Sequence, residues 1–345
     1  MMHKNFTQRH RDRGEYGVSV RNPFFCYSDI FTVRRKINNF YHFNFVPSVP
    51  SCLRVIINTI IILLLMSCSR QDVSDKLLIA VSIPPQEWFV SRIAGDKVDT
   101  LILVPPGQNP HNYEPAPRQI QNLSKASAWI LSGTEFEISL RPKIESLFPN
   151  LMIVDGTEGV QFRYMEDHNC DDDHSSSVAS HSSLEIDRHT WLGFSPAIML
   201  ADNILKTLNL FDSDNSEFYD DRFMETYIDI FHVFNELEIE LAPLRGKSVF
   251  VYHPSFGYFF DEFGIIQEAV ETGGKEPTPR QLNDLMEKIM REQPAAIFVQ
   301  TQFPVNAART LANSAGAQVI ELDPLAQDWL NNIRRMGQEL KNIIK

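Results

Sequence analysis

Beyond Lys76 the chain alternates short apolar runs with longer segments in which apolar residues recur every three or four positions. LLIAVS (77–82), VDTLILV (98–104), AWILSG (128–133) and LMIVD (151–155) predict strands, and residues 85–94 and 118–126 between them have a helical period. Strands alternating with helices argue for βαβ units on a parallel sheet. The pattern restarts at SVFVYH (248–253) and continues through IIQEAV (265–270), AAIFVQ (295–300) and AQVIEL (317–322). Within it, TPRQL predicts a helix start, with Thr278 as N-cap and Pro279 at the first helical position.

Residues 216–241 separate the two sets and contain neither Gly nor Pro. One helix of that length reaches about 39 Å at a rise of about 1.5 Å per residue. A hinge rich in Gly or Ser is missing here, so the connection is expected to be stiff. The aromatic stripe Phe223, Tyr227, Phe231 and Phe234 has helical spacing and is expected in the core. The fold class that follows is α/β: two lobes, each a parallel sheet flanked by helices, joined by a long rigid helix with a cleft between them. The boundaries read as 77–214 for the first lobe, 215–243 for the connecting helix and 244–345 for the second. No internal repeat is strong enough to name from sequence.

The front of the chain has a different character. VIINTIIILLLM (55–66) is an apolar run of about twelve residues, short of the roughly 20 that span a bilayer as a helix. With Arg54 and the RRK at 34–36 upstream, it reads as the apolar region of a secretory signal. It ends in LMSC, which resembles a bacterial lipobox whose Cys68 becomes the lipidated first residue. Residues 1–68 are therefore set apart as an extension plus signal with a start placed too early, and 69–76 as a tether. Charge divides at the same point: nine Lys/Arg against three Asp/Glu up to residue 68, then 23 against 41, or −18. A body that acidic is not expected to bind nucleic acid. Cys26, Cys52, Cys68 and Cys170 show no CxxC spacing and imply no disulfide framework.

Four residues follow strands or precede helices in strongly patterned contexts. His111 lies in PPGQNPHNYEPAP, a loop stiffened by prolines; His189 lies in DRHTW; His253 stands at the C-terminal end of a predicted strand and Asp323 at the corresponding end of its own. Ligands gather at the carboxyl ends of strands in open α/β sheets. A lone histidine beside a strand is more often a hydrogen-bonded structural residue, and spacing alone leaves open whether the four converge. As a set, three imidazoles and one carboxylate suit zinc in a tetrahedral site.

GQNPHNYEP, DRHTWL, YHPSFGYFFDEFG, GKEPTPRQL and LDPL occur in the order found in the ZnuA/TroA-like metal-binding lipoproteins. These are the cluster A-I substrate-binding proteins of zinc and manganese ABC importers. The resemblance spans nearly all of residues 77–345. It implies His111, His189, His253 and Asp323 as metal ligands, and a periplasmic or extracytoplasmic, lipid-anchored, monomeric receptor that serves a membrane permease. Two places depart from the family pattern: Asp187-Arg188-His189 stands where Asp-Pro-His is common, and the segment after Trp191 lacks the usual proline two places after the leucine. Pro110, in addition, stands where some zinc-specific members carry a glutamate. Manganese receptors tend to place a glutamate at the position of His253, so this set points to Zn2+, with Mn2+ as the alternative.

HNCDDDHSSSVASHSSLEIDRHTW (168–191) then divides in two. His189 belongs to the main site. His168, His174 and His181 fall in an acidic, serine-rich stretch, 166–182, without apolar period, read as a surface loop that either collects metal weakly or has no task. Glu135 and Tyr258 are candidates to support the site from behind, and Trp191, Phe256 and Tyr258 read as packing that excludes water rather than as ligands. A secreted zinc hydrolase is a weaker reading, because no HExxH occurs and four protein ligands close the site to water. No enzyme activity is expected. A surface adhesin is the remaining alternative.

Overall fold

The structure, a computed structural model, describes residues 76–165, 185–271, 279–303, 309, 312–314 and 316–344. The signal with Cys68, the histidines at 168, 174 and 181, and the N-cap Thr278 lie outside the described residues.

The first lobe runs β1 (Leu77–Val81), α1 (Pro84–Ala94), β2 (Val98–Ile102), α2 (Pro117–Leu123), β3 (Ala128–Leu131), α3 (Glu135–Leu147) and β4 (Met152–Asp155). Two long helices follow, α4 (Phe194–Phe211) and α5 (Ser216–Glu240). The second lobe holds β5 (Ser248–Val251), α6 (Gly257–Glu262), β6 (Ile266–Ala269), α7 (Pro279–Glu292), β7 (Ala296–Gln300), β8 (Gln318–Leu322) and α8 (Trp329–Asn342). All eight strand runs expected from the sequence are strands. The sheet orders are β2-β1-β3-β4 and β6-β5-β7-β8, with every pairing parallel. The lobes thus share one topology that the sequence alone did not reveal as a repeat.

Continuous apolar runs follow from burial on both sheet faces. Ile79, Ala80 and Val81 of β1 have no exposed surface, and all five residues of β7 are buried. One buried side chain sets the turn from β1 into α1. Gln86 accepts from the Ser82 and Ile83 amides through Oε1 and donates through Nε2 to the Ile130 and Leu131 carbonyls. Strand ends β1 and β3 are thereby held to the start of a helix.

Helix α5 packs on both lobes. Arg222 Nε donates to the Arg92 carbonyl of α1 at 2.7 Å, and Arg92 pairs with Asp229. Near its far end Leu237 meets Gly337 of α8 so closely that a Cβ there would lie 2.2 Å from Leu237 Cδ2. The aromatic stripe needs correcting. Phe234 is buried and stacks on Phe263, but Phe223 and Tyr227 are half-buried and Phe231 is 47% exposed. Each four-residue step advances about 40° past a full turn, so residues 227 and 231 drift off the face defined by Thr226, Ile230, Val233 and Leu237.

Candidate metal site

His111 sits in a 3-10 turn, Pro110–Asn112, in the loop after β2, where the Asn109 side chain accepts its amide at 3.0 Å. His189 leads into a second such turn, Thr190–Leu192, ahead of α4. His253 lies two residues past β5, and its peptide is gripped by Gln300 at the end of β7, which accepts from His253 N and donates to His253 O. Two histidines therefore come from the first lobe and one from the second.

Their ligand atoms all lie within 4.8 Å of one another, with His111 Nε2 and His253 Nε2 3.0 Å apart. Each Nδ1 faces a carboxylate. His189 Nδ1 is 2.8 Å from Asp187 Oδ1, and His253 Nδ1 is 2.8 Å from Glu271 Oε2. His111 Nδ1 stands 2.9 Å from Glu135 Oε2, though not in line for a good hydrogen bond. A carboxylate on Nδ1 holds the proton there and leaves the Nε2 lone pair facing inward, the arrangement found behind metal-bound histidines. Two such lone pairs at 3.0 Å repel unless a cation lies between them. Nitrogens on a tetrahedral zinc, at about 2.0–2.1 Å from the ion, are roughly 3.3 Å apart. The cavity the three rings share with Trp191, Gln302 and Phe303 measures about 10 Å³. That volume takes an ion or about one water molecule, not an organic ligand.

The electrostatics agree. Burial raises the Glu135 carboxyl, but His111 beside it prevails and brings it down to about 2. Burial likewise opposes ionisation of Asp187, and contacts with His189 and then Arg163 outweigh it, so its value is lowered. Asp187 and Glu271 are the site residues that sequence reasoning missed. The first was legible in principle as an acid two places before a histidine; the second required knowing that β5 and β6 are neighbours.

Asp323 stands apart from the three-histidine group. Its Oδ1 accepts from Gln302 Nε2 at 2.8 Å and from the Leu325 amide at 2.9 Å. That turn after β8 fixes the carboxylate without bringing it into the set of atoms that lie within 4.8 Å.

Residues 79–343 match the family described as ZnuA, zinc-uptake complex component A, periplasmic. The chain belongs to that family. Among curated relatives it is 24% identical over 297 residues to the manganese ABC transporter substrate-binding lipoprotein PsaA of Streptococcus mitis, covering 83% of this chain and 91% of that protein. It is 25% identical over 267 residues to the zinc-binding lipoprotein AdcA of Streptococcus pneumoniae serotype 4, covering 76% of this chain and 53%, about half, of that one. A crystal structure of ZnuA superposes with a TM-score of 0.70 at 31% identity, covering 78% of this chain and 99% of the other.

Against the family pattern, Arg188 has a visible job. Its Nη1 donates to the Gly133 carbonyl at 2.9 Å and its Nε lies 3.6 Å from Glu135 Oε1, behind the acid that faces His111.

The His253 ring is lowered from its ordinary 6.5 to about 4, chiefly by burial and then by the neighbouring His189 and His111, against the pull of Glu271. Between those two values the unfolded chain takes up a proton that the folded, metal-free chain refuses. Stability is therefore full above pH 6.5 and falls on acidification towards pH 4, by about 3 kcal/mol at about 1.4 kcal/mol per pH unit. Thermal melts of metal-free protein across this range check the prediction, and the His253→Gln variant should show a flatter curve.

Proposed function

We propose that this chain is the receptor of a metal ABC importer, which takes up zinc between its lobes outside the cytoplasmic membrane and delivers it to a permease. The observation that carries the reading is the convergence of three Nε2 atoms, each ring backed by a carboxylate. In this reading Asp323 is the fourth ligand, completing a tetrahedral site when the ion enters, and the closed site performs no chemistry. Three imidazoles favour zinc over manganese. The chain is held to the membrane by a lipid on Cys68, acts as a monomer, and uses His168, His174 and His181 as a weaker, secondary collecting site. No helix among the described residues is long and apolar enough to cross a membrane.

The test is metal content after equilibration with equal zinc and manganese and thorough desalting. About one zinc per chain is expected, with a lower affinity once Asp323 is replaced by alanine. Retained manganese in place of zinc would overturn the argument from ligand softness. A protein that keeps neither ion is not a metal receptor.

A further inference from the structure

Asp187 has no exposed side-chain surface, and both its oxygens are committed. Oδ1 accepts from His189 N and faces His189 Nδ1; Oδ2 accepts from Arg163 Nη1 at 2.7 Å. The same guanidinium donates through Nε to Asp261 Oδ2 at 2.9 Å, at the end of α6 in the second lobe. It lies against the first residue of that helix, since a Cβ on Gly257 would fall 1.6 Å from Nη1. The Arg163 amide donates to the Tyr258 hydroxyl, which in turn donates to the Asp187 carbonyl. Backbone bonds close the arrangement: Asp187 N reaches Arg163 O and Met165 N reaches Glu185 O, around the bridge of Tyr164 with Ile186.

We infer that Arg163 is a positioning residue for metal capture: through Asp187 it sets the ring of His189, and through α6 it ties that ring to the lobe that carries His253. A buried carboxylate stays ionised and correctly turned only while its charge is matched. Without Arg163, Oδ2 of Asp187 loses its partner and the carboxylate is free to rotate, which releases the Nδ1 proton of His189 from its fixed place. The Nε2 lone pair is then no longer held toward the other two rings. Arg163 touches no metal. Its fork-shaped guanidinium serves two acids at once, which a lysine ammonium matches poorly. This inference rests on the metal-receptor reading, and its test separates the two.

The experiment uses the purified protein with Arg163→Met and Arg163→Lys, each alone and combined with His189→Ala. Zinc affinity is measured by chelator competition, and the His189 tautomer of metal-free protein by imidazole 15N NMR. Loss of a residue behind a metal ligand weakens binding about 10–100-fold; Arg163→Met should fall in that range and Arg163→Lys between it and the parent. The His189 ring should pass from a single Nδ1–H form to a mixture. In the His189→Ala background the Arg163 substitutions should cost no further affinity, because the ring they act through is gone. Undiminished loss in that background, or zinc binding by Arg163→Met within about twofold of the parent, overturns the inference. If Arg163→Met does not fold, the tautomer and affinity of Arg163→Lys decide: values identical to the parent's overturn it. A parent protein that binds no zinc removes the receptor reading, while the tautomer comparison still judges Arg163.

Discussion

Protein carrying His253→Ala is expected to come through desalting without zinc. Zinc held by four side chains in a small domain is bound by about 10–16 kcal/mol, so one ligand accounts for about 3 kcal/mol, a loss of more than a hundredfold. The position adds to that figure. His253 is the ring supplied by the second lobe, and its Nε2 makes the 3.0 Å approach to His111. It is buried against Phe303, with ring centroids 4.6 Å apart at 21°. Truncation also strands Glu271, whose Oε1 has no partner among the described residues and whose Oε2 would lose the His253 ring at 2.8 Å. His253→Gln separates the two effects: its amide can still donate to Glu271, so it should fold better than the alanine variant and yet retain as little zinc. Metal analysis beside a thermal melt reads both. Full zinc retention by either variant would place the metal elsewhere.

Trp329→Ala is expected to cause the largest loss of stability. The side chain is 1% exposed and meets Trp88 at 5.3 Å, Phe89 at 4.8 Å and Phe234 at 6.5 Å between ring centroids. It thus joins α1, α5 and α8 in one aromatic cluster. Its indole N–H donates to the Trp191 carbonyl at 2.8 Å, while the Trp191 indole donates to the Pro324 carbonyl at 2.7 Å. These crossed bonds tie the segment after His189 to the turn that carries Asp323. Removing a buried Trp costs about 3–5 kcal/mol. For a domain of this size that corresponds to about 6–20 °C in Tm. Ile239→Ala, at a position 72% exposed, should change stability by no more than about 0.5 kcal/mol. Melting curves of the metal-free proteins test the contrast, and a Trp329→Ala protein as stable as the parent would show that the cluster repacks.

The two lobes were legible because their central strands, β1 and β3 in one and β5 and β7 in the other, are largely buried. A run such as AAIFVQ has no polar position before its last residue, Gln300, and β7 occupies five of its six residues. The connecting helix was legible because nothing in 216–241 interrupts it; the helix ends one residue earlier, at Glu240. Which of its aromatics are buried was not legible, since repeated steps of four accumulate rotation, and Phe231 turned outward. The three histidines could be found because each stands in a turn at a strand or helix end. Their carboxylates were harder. Glu271 is 18 residues from His253, and only the pairing of β5 with β6, Val251 opposite Ala269, brings them together. Arg163 has still less local signal, because it reaches Asp187, Gly257 and Asp261 only after both lobes have packed.

Parallel strands give this molecule a top and a bottom. The chain enters β1 at Leu77, directly after Lys76, and β1 runs away from that entry toward the end of the sheet where the loop with His111 begins. Residue 76 therefore lies at the end of the sheet opposite the His111 loop. A five-residue strand is about 17 Å long, so at least that length of sheet lies between Leu77 and the loop that carries His111. With the lipid proposed at Cys68, the leash is residues 69–76, at most about 28 Å at full stretch. Shortening it should slow delivery without altering capture.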